Sequence, residues 1–525
     1  MTASERHEAR THSAAGAAAG ARGALPDHVD VAIVGGGFAG LGMAIKLKEA
    51  GRTDFVVLER DADVGGTWWQ NTYPGCQCDV PSNLYSFSFA PNPAWSHTFP
   101  LQAEIGAYLR NVADDHGLRP WIRTGTDVHR AAWDEHAQRW RIETSKGALT
   151  ARVLVAGMGG LSEPSIPEIP GADSFKGPAF HTARWRHDVD LTGKRVAVIG
   201  TGASAVQAVP RIQPQVRRLT VFQRTPPWIM PHPGRPTRPR ERALFGALPT
   251  LQKLVRGAVY WGRECYVLPF RFHRLSGIPE RMARRHLEQQ VADPVLREQL
   301  TPRYEIGCKR ILMSDEYLPA LQRPNAELVV EAIERITPAG VVTADGVEHQ
   351  ADVLVWGTGF HTTDLAFPEW LHGRDGRTLG DVWREHGMQA LRGTTIAGFP
   401  NLFLLVGPNT FLGHNSMVFM IESQLAYAID ALRTLDERGA VACEPTPHAQ
   451  AAFNARVQRR MRHTVWTNGG CASWYLDAHG RNTTLWPGSS WTFRRATRRF
   501  DPAEYELFER ELATVRLDGS GGGGI

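Results

Sequence analysis

Two glycine-rich turns in this sequence of 525 residues have the spacing that holds the phosphates of a dinucleotide. The first, G-x-G-x-x-G, contains Gly35, Gly37 and Gly40 and lies between two apolar runs. Gly35 permits a tight turn, Gly37 lets the backbone approach a pyrophosphate, and Gly40 lets the following helix pack on its strand. Glu59 ends the second apolar run, where an acid accepts hydrogen bonds from a ribose diol. This turn therefore predicts a dinucleotide with a free ribose.

The second turn is followed by different chemistry. Gly200 and Gly202 belong to a G-x-G-x-x-A pattern that opens a helix, and the next predicted strand, residues 219–222, leads to Arg224 and Thr225 instead of an acid. A guanidinium and a hydroxyl suit a ribose 2′-phosphate, because arginine donates paired hydrogen bonds to phosphate oxygens. The second site is therefore predicted to bind NADPH.

A stretch rich in glycine and tryptophan, residues 65–79, follows the first turn and is expected to be a loop that closes over a ligand. Its pattern resembles the fingerprint beside the flavin in Baeyer-Villiger monooxygenases. The resemblance is carried by Gly65, Gly66, Trp68, Tyr73, Pro74, Gly75 and Asp79. The alternative is structural: the aromatic residues would fill a domain core and Asp79 would cap the next helix.

A second signature of the same family, Phe-x-Gly-x-x-x-His-x-x-x-Trp, is matched by Phe175, Gly177, His181 and Trp185. Arg186 departs from the proline or aspartate that is usual after it. Trp185 favours this family over related flavin N- or S-oxygenating enzymes, which usually carry another aromatic residue there. We interpret His181 and Trp185 as residues that couple the two domains, although a direct chemical role for His181 stays open.

The resemblance spans roughly residues 28–500 and implies an α/β fold with two Rossmann-like dinucleotide-binding domains, one for FAD and one for NADP. The NADP domain would be inserted into the FAD domain and would carry a helical insertion. The expected boundaries are a disordered leader at 1–27, the FAD domain at 28–160 and 346–518 with a C-terminal loop, the NADP domain at 161–345 with its helical insertion at about 231–305, and a flexible tail at 519–525. The insertion's arginines, including Arg281, Arg284 and Arg285, are expected to form a solvated face.

The resemblance also implies roles for individual residues. Arg310 and Asp79 would be catalytic: Arg310 would hold negative charge on oxygen beside the flavin, and Asp79 would orient it. FAD would contact Gly35, Gly37, Phe38, Ala39, Gly40, Glu59, Thr67, Trp68, Trp69, Asp79, Tyr85, Val128 and Met417. The nicotinamide nucleotide would contact Gly200, Thr201, Gly202, Ala203, Ser204, Gln207, Arg224, Thr225, Lys309, Arg310 and Trp474. Tyr85 could instead lie on the buried face of a strand with Phe87 and Phe89.

The implied reaction inserts one oxygen atom of dioxygen next to the carbonyl of a ketone or aldehyde, through a C4a-peroxyflavin, to give an ester or lactone. The alternatives are a flavin N- or S-oxygenating monooxygenase and, from another class, a non-catalytic nucleotide-sensing protein. A disulfide reductase would need a paired-cysteine motif after the first turn, and Cys76 and Cys78 have the wrong spacing.

Composition points to no macromolecular partner. The net charge of +5 is small for this length, so neither nucleic acid nor a membrane surface is expected. Six scattered cysteines predict reduced thiols in a cytoplasmic protein, and the pair at Cys76 and Cys78 lacks the further ligands of a metal site. The expected partners are a small carbonyl substrate and dioxygen, and the chain is expected to be a monomer or weak homodimer.

Overall fold

A computed structural model of the chain describes residues 24–271, 275–363, 365–477 and 479–509. The predicted tail at 519–525 and all but four residues of the predicted leader lie outside the described residues. Among the described residues, no helix is both long and apolar enough to cross a membrane.

The first sheet surrounds the first glycine turn. Its strands lie in the spatial order Leu371–His372, Val128–Asp134, Arg139–Thr144, Gly147–Ala156, His28–Val34, Phe55–Leu58 and Ile122–Arg123, and Leu402–Leu404 also pairs with Gly147–Ala156. The strands around His28–Val34 are parallel, and alternate residues of this strand face opposite sides. Val31 and Ile33 enter one buried cluster, whereas Ala32 and Val34 enter another. A strand buried on both faces explains the uninterrupted apolar run in the sequence.

The second sheet surrounds the second glycine turn and is parallel throughout. Its spatial order is Ala326–Val329, Arg218–Phe222, Arg195–Ile199, Val353–Trp356 and Ala179–His181. The predicted α/β class with two Rossmann-like sheets is confirmed. The predicted boundary at residue 346 is too early, because strand Val353–Trp356 pairs inside the second sheet and the chain returns to the first sheet only after it.

Helices connect and cover these sheets. Helix Phe38–Glu49 follows the first turn, and Ala203–Ile212 follows the second. The predicted helical insertion contains Pro239–Ala247, Pro249–Glu264, Val267–Arg271, Gly277–Gln290 and Pro294–Gln299. The other α-helices are Thr67–Gln70, Gln102–Asp115, Tyr317–Leu321, Leu379–His386, Met417–Arg438, Pro447–Met461, Val465–Asn468 and Ser490–Ala496. The remaining strands form small sheets from Ile229–Met230 with Leu312–Met313, from Ile333–Thr337, Gly340–Thr343 and Glu348–Gln350, and from Ala440–Pro445 with Tyr505–Glu509.

A disulfide joins Cys308 to Cys471 across 163 residues of sequence. The prediction of reduced thiols is therefore wrong for these two cysteines, because folding brings together residues that look unrelated in the sequence. The bond ties the segment that leads into Lys309 and Arg310 to the loop that leads into Trp474.

We expect Cys471→Ala to lower the free energy of unfolding by about 2–5 kcal/mol, because the cross-link restricts a long loop of the unfolded chain. The measurement is denaturant unfolding with and without a thiol reductant. Cys265→Ala is the matched control, since Cys265 is an exposed free cysteine. Equal stability of the reduced and oxidised wild-type proteins would contradict the expectation.

Candidate functional site

The first glycine turn has the shape that a pyrophosphate needs. Gly35 has φ +102°, and a Cβ there would lie 2.6 Å from the carbonyl oxygen of Gly157. Gly37 is the N-cap of helix Phe38–Glu49, so the first N–H groups of that helix face the turn. A Cβ on Gly40 would meet the Gly35 carbonyl oxygen, so the helix could not approach its strand with any larger residue. The backbone shape of a dinucleotide cradle is therefore present, and it fits the FAD that the sequence predicts here.

Glu59 stands at the carboxyl end of its strand and is only 4% exposed. Its Oε2 accepts a hydrogen bond from the Gly36 N–H at 2.5 Å, and Oε1 accepts one from the Asp61 N–H at 2.8 Å. Burial raises the pKa of Glu59, and these two hydrogen bonds oppose that rise. Each carboxylate oxygen keeps further acceptor capacity, which fits a ribose diol.

The second turn repeats the first. Gly200 has φ +108°, and a Cβ there would lie 2.4 Å from the carbonyl oxygen of Gly357. Gly202 is the N-cap of helix Ala203–Ile212, and Thr201 Oγ1 donates to the carbonyl oxygen of Thr225 at 3.1 Å. Ser204, on the first turn of that helix, accepts a hydrogen bond from Thr182 Oγ1 at 2.9 Å. In both cradles the first glycine of the turn packs against a glycine that follows a neighbouring strand, Gly35 against Gly157 and Gly200 against Gly357.

Two cations accompany the second cradle. Arg224 is exposed, and Lys309 is partly buried with its Nζ 5.2 Å from the centre of the Tyr304 ring. Burial lowers the pKa of Lys309, and the positive charge of Arg224 lowers it further, so the two side chains are neighbours. Two neighbouring cations repel each other unless an anion lies between or beside them. A ribose 2′-phosphate fits this arrangement.

The fingerprint stretch is held by interactions from both glycine-turn regions. Residues Thr67–Gln70 form one helical turn, so the expectation of a loop throughout 65–79 is wrong for these four residues. Trp68 Nε1 donates to Tyr85 Oη at 3.1 Å, and Tyr85 lies outside any strand, which rules out the strand-face alternative. Tyr73 Oη donates to Gln207 Oε1 at 2.8 Å. Gln207 therefore ties the fingerprint to the helix behind the second turn.

Asp79 and Arg310 form a bidentate ion pair, although they lie 231 positions apart in the sequence. Nε donates to Oδ2 at 2.6 Å and Nη2 donates to Oδ1 at 2.7 Å. Asp79 therefore does not cap a helix. Burial would raise the pKa of Asp79, but the Arg310 guanidinium outweighs it and holds this pKa below the ordinary value. Both side chains stay about one-third exposed, at 31% and 36%, so solvent reaches the pair, and we call the region around it the cleft.

His181 belongs to the second sheet, whereas Trp185 lies where the two glycine-turn regions meet. His181 ends strand Ala179–His181, is 3% exposed, and accepts a hydrogen bond from the Ala183 N–H at 3.0 Å. Burial lowers its pKa to about 4, so the ring is neutral near pH 7. Trp185 packs edge-on against Phe180 and contacts the cores on the first-turn and second-turn sides. These contacts fit a coupling role.

The other residues predicted to contact the nucleotides lie on several different elements. Phe38 packs against Tyr85 with ring centres 5.3 Å apart. Met417 begins the helix that Ser416 caps, and Val128 is buried at the start of its strand. Trp474 is partly buried and lies against Tyr475, with ring centres 4.4 Å apart. Ala39 and Trp69 lie within their predicted segments, and Thr67 is exposed.

Sequence patterns did not identify three residues of this region. Tyr475 is buried, and Arg310 acts electrostatically on its hydroxyl, although burial dominates and raises its pKa to about 12. Arg263, on the helical insertion, acts electrostatically on Asp79. Glu264 is buried beside it. The prediction that the insertion's arginines form only a solvated face is wrong for Arg263, because tertiary packing turns one side of that helix toward the cleft.

Comparison with known proteins agrees with this geometry. The family model described as pyridine nucleotide-disulphide oxidoreductase matches residues 32–236, which include both glycine turns. A Baeyer-Villiger monooxygenase of Streptomyces coelicolor is 55% identical, with 93% of this chain and 94% of that protein covered. One of Pseudomonas aeruginosa is 49% identical, with 93% of each chain covered.

Solved structures give the same result. Closed cyclohexanone monooxygenase superimposes with a TM-score of 0.83 at 29% identity, covering 93% of this chain and all of that one (100%). Oxidised steroid monooxygenase bound to NADP has a TM-score of 0.82 at 33% identity, with 92% of this chain and 100% of that chain covered. The agreement therefore extends over more than nine-tenths of the chain, 93% in one case and 92% in the other.

We expect Arg224→Ala to weaken NADPH binding roughly ten- to a hundredfold and to change NADH binding little, because a charge-assisted hydrogen bond contributes about 1.5–3 kcal/mol. Binding is measured by titrating the oxidised protein with analogues of NADPH and of NADH that cannot transfer hydride. Arg217→Ala is the control, since Arg217 is exposed just before the same strand. Equal losses for both nucleotides would rule out a 2′-phosphate contact.

The low pKa of His181 predicts a pH-dependent part of stability. The unfolded chain takes up the proton near pH 6.5 and the folded chain only near pH 4, so this contribution is complete above pH 6.5 and is lost as the pH falls toward 4. His181→Asn should therefore remove about 2 kcal/mol of the stability difference between pH 7.5 and pH 5. Denaturant unfolding at both pH values tests this, with the exposed His136→Asn as control. An unchanged pH dependence in His181→Asn would contradict it.

Proposed function

This chain belongs to the Baeyer-Villiger monooxygenases, which use FAD and NADPH to insert one oxygen atom of dioxygen next to a carbonyl, and we propose that Arg310 and Asp79 are its catalytic pair. The relatives at 55% and 49% identity carry this family name over almost the whole chain. The heteroatom-oxygenating and non-catalytic alternatives are disfavoured accordingly. The observation that carries our proposal is the ion pair at the edge of the cleft.

The geometry of the pair leaves part of Arg310 available for substrate chemistry. Asp79 occupies Nε and Nη2, and no other described residue accepts a hydrogen bond from Nη1. The charge of Asp79 raises the pKa of Arg310, so the guanidinium stays protonated throughout the physiological range. We propose that Arg310 donates hydrogen bonds to the oxygen atoms on which negative charge develops, a task in which fixed donors are most effective. Asp79 orients those donors and is a positioning partner.

FAD and NADPH fit the two cradles described above. Bound FAD, once reduced by NADPH, supplies the electrons with which dioxygen becomes a reagent that transfers one oxygen atom. We propose that the first turn and Glu59 hold FAD, with Trp68, Tyr85 and Met417 near its ring system. The second turn, Arg224 and Lys309 would hold NADPH. We propose that the other residues implied by the family resemblance contact the same nucleotides as the sequence predicts.

The domain assignment follows from the same fit. We propose that the first sheet with its helices is the FAD domain and that the second sheet is an inserted NADP domain. Trp185 and Gln207 support this division, because each contacts both regions. We further propose a cytoplasmic monomer or weak homodimer acting on a ketone or aldehyde. The Cys308–Cys471 disulfide would be unusual in that compartment, which makes its redox state in the cell a direct check.

We expect Arg310→Ala to form ester roughly a hundred- to a thousandfold more slowly while still binding FAD, because it removes donors that act on charge developing during oxygen transfer. NADPH and dioxygen should still be consumed, with hydrogen peroxide released instead of ester. Ester, peroxide and NADPH are measured together in the same reaction.

Two variants complete the experiment. Asp79→Asn should show a smaller loss, since Arg310 would remain but would be oriented less reliably. Arg303→Ala removes an exposed arginine of the same segment and serves as the control. Ester formation by Arg310→Ala at the wild-type rate would refute the assignment.

A further inference from the structure

The helix Pro249–Glu264, called here the insertion helix, packs one face against the segment that follows Asp79. Gln252 Nε2 donates to the carbonyl oxygen of Asn92 at 2.7 Å. One turn later, Arg256 Nη1 donates to the carbonyl oxygen of Asn83 at 2.6 Å. Positions 252, 256, 260 and 263 share this face at helical spacing. The end of the insertion helix is therefore directed toward the Asp79 region.

Glu264 locks that end in place. Its side chain is 6% exposed and accepts hydrogen bonds from Asn415 Nδ2 at 2.6 Å and Ser490 Oγ at 2.5 Å. His414 Nε2 lies 3.4 Å from Oε1 of the same carboxylate. Burial would raise the pKa of Glu264, but these partners hold it below the ordinary value, so the carboxylate is charged. A buried charge with this many partners fixes the backbone of its neighbour, Arg263.

Arg263 differs from a surface arginine. Its Nε is buried and has no hydrogen-bond partner, and no described residue forms an ion pair with its guanidinium. Its guanidinium makes a cation–π contact with the Tyr266 ring, whose centre lies 5.3 Å from Cζ. A buried donor without an acceptor costs on the order of 1–3 kcal/mol, and more when the donor is charged. The fold therefore holds this guanidinium in place at a cost to stability.

The charges around Arg263 indicate what would satisfy it. Burial lowers the pKa of Arg263, Asp79 opposes this effect, and Arg310 adds to it, so all three charged groups share one region. Asp79 already directs both carboxylate oxygens to Arg310. The region thus contains two guanidinium groups and one carboxylate, so its net charge is positive and the buried Nε of Arg263 still lacks an acceptor. The nucleotide phosphates belong to the second turn, Arg224 and Lys309 in the function proposed above.

We propose that Arg263 binds an anionic oxygen of the substrate, so that the enzyme prefers carbonyl compounds that carry a carboxylate. This inference rests on the proposed function, in which Arg310 serves the reacting oxygen atoms. A planar guanidinium pairs with a carboxylate through two parallel hydrogen bonds, which gives both affinity and a fixed orientation. The carboxylate would hold the ketone at a set distance from Arg310, and that distance would select chain length.

The test compares matched acids and esters. The substrates are 4-oxopentanoate, 6-oxoheptanoate and 8-oxononanoate, each beside its neutral methyl ester. We expect the wild-type enzyme to show a kcat/KM for at least one acid about tenfold or more above that of its ester. Arg263→Met should lower this acid-to-ester ratio roughly ten- to a hundredfold, the loss expected for a charge-assisted contact. FAD content and the absorption spectrum show whether each variant is folded.

Two further variants make the result decisive. Lys253→Met removes an exposed charge from the same helix and should leave the ratio unchanged. Arg263→Lys keeps the charge but not the planar pair of donors, and it should lower the ratio about tenfold even if Arg263→Met does not fold.

A wild-type enzyme without preference for any acid, or an Arg263 variant with an unchanged ratio, would overturn the inference. An equal loss on acids and esters, or a loss confined to NADPH binding, would also overturn it. These failures are distinct from failure of the proposed function, which would appear as normal ester formation by Arg310→Ala.

Discussion

The ion pair between Asp79 and Arg310 is the interaction on which the arrangement of the cleft depends. It joins the fingerprint beside the first glycine turn to the segment that follows the helical insertion. Either charge alone would be unfavourable, because the desolvation free energy of a charge near the protein interior must be offset by a partner of opposite charge. Together they give a guanidinium that is charged and oriented, with Nη1 left for other oxygen atoms. An oxygen-transfer reaction needs such a donor in place before negative charge appears.

The insertion helix reaches the same place by another route. Its arginines belong to a part of the sequence with many arginines, of which Arg281 and Arg285 are exposed. The buried Glu264 anchors the C-terminal end of the insertion helix, because its hydrogen-bond partners lie beside the helix Met417–Arg438 of the first region. The insertion thus supplies part of the wall of the cleft. Its sequence would be the natural place for substrate preference to vary among relatives that share the same catalytic pair.

The two cradles follow one design. In each, a glycine with positive φ packs against a glycine that follows a neighbouring strand, at Gly35 with Gly157 and at Gly200 with Gly357. A Cβ at Gly35 or Gly200 would lie 2.6 Å or 2.4 Å from a carbonyl oxygen, which explains why these two positions are glycine, and a Cβ at Gly157 or Gly357 would be in tight contact at 3.2 Å or 3.0 Å. The two cradles differ in the residues that come after the next strand, which are Glu59 in the first cradle and Arg224 in the second. Gln207 and Trp185 then link the two regions physically.

The sequence by itself determined the features that depend on local spacing. Glycine turns, their strands and the residue after each second strand follow from backbone geometry over about 30 residues, so the fold class and both nucleotides could be predicted. The family resemblance added Asp79 and Arg310. Only the tertiary structure decided which distant residues meet: the return to the first sheet after Trp356, the bond between Cys308 and Cys471, and the approach of Arg263 to Asp79. These depend on packing between segments that lie far apart in the chain, 163 residues in the case of the disulfide, for which one sequence carries no periodic signal.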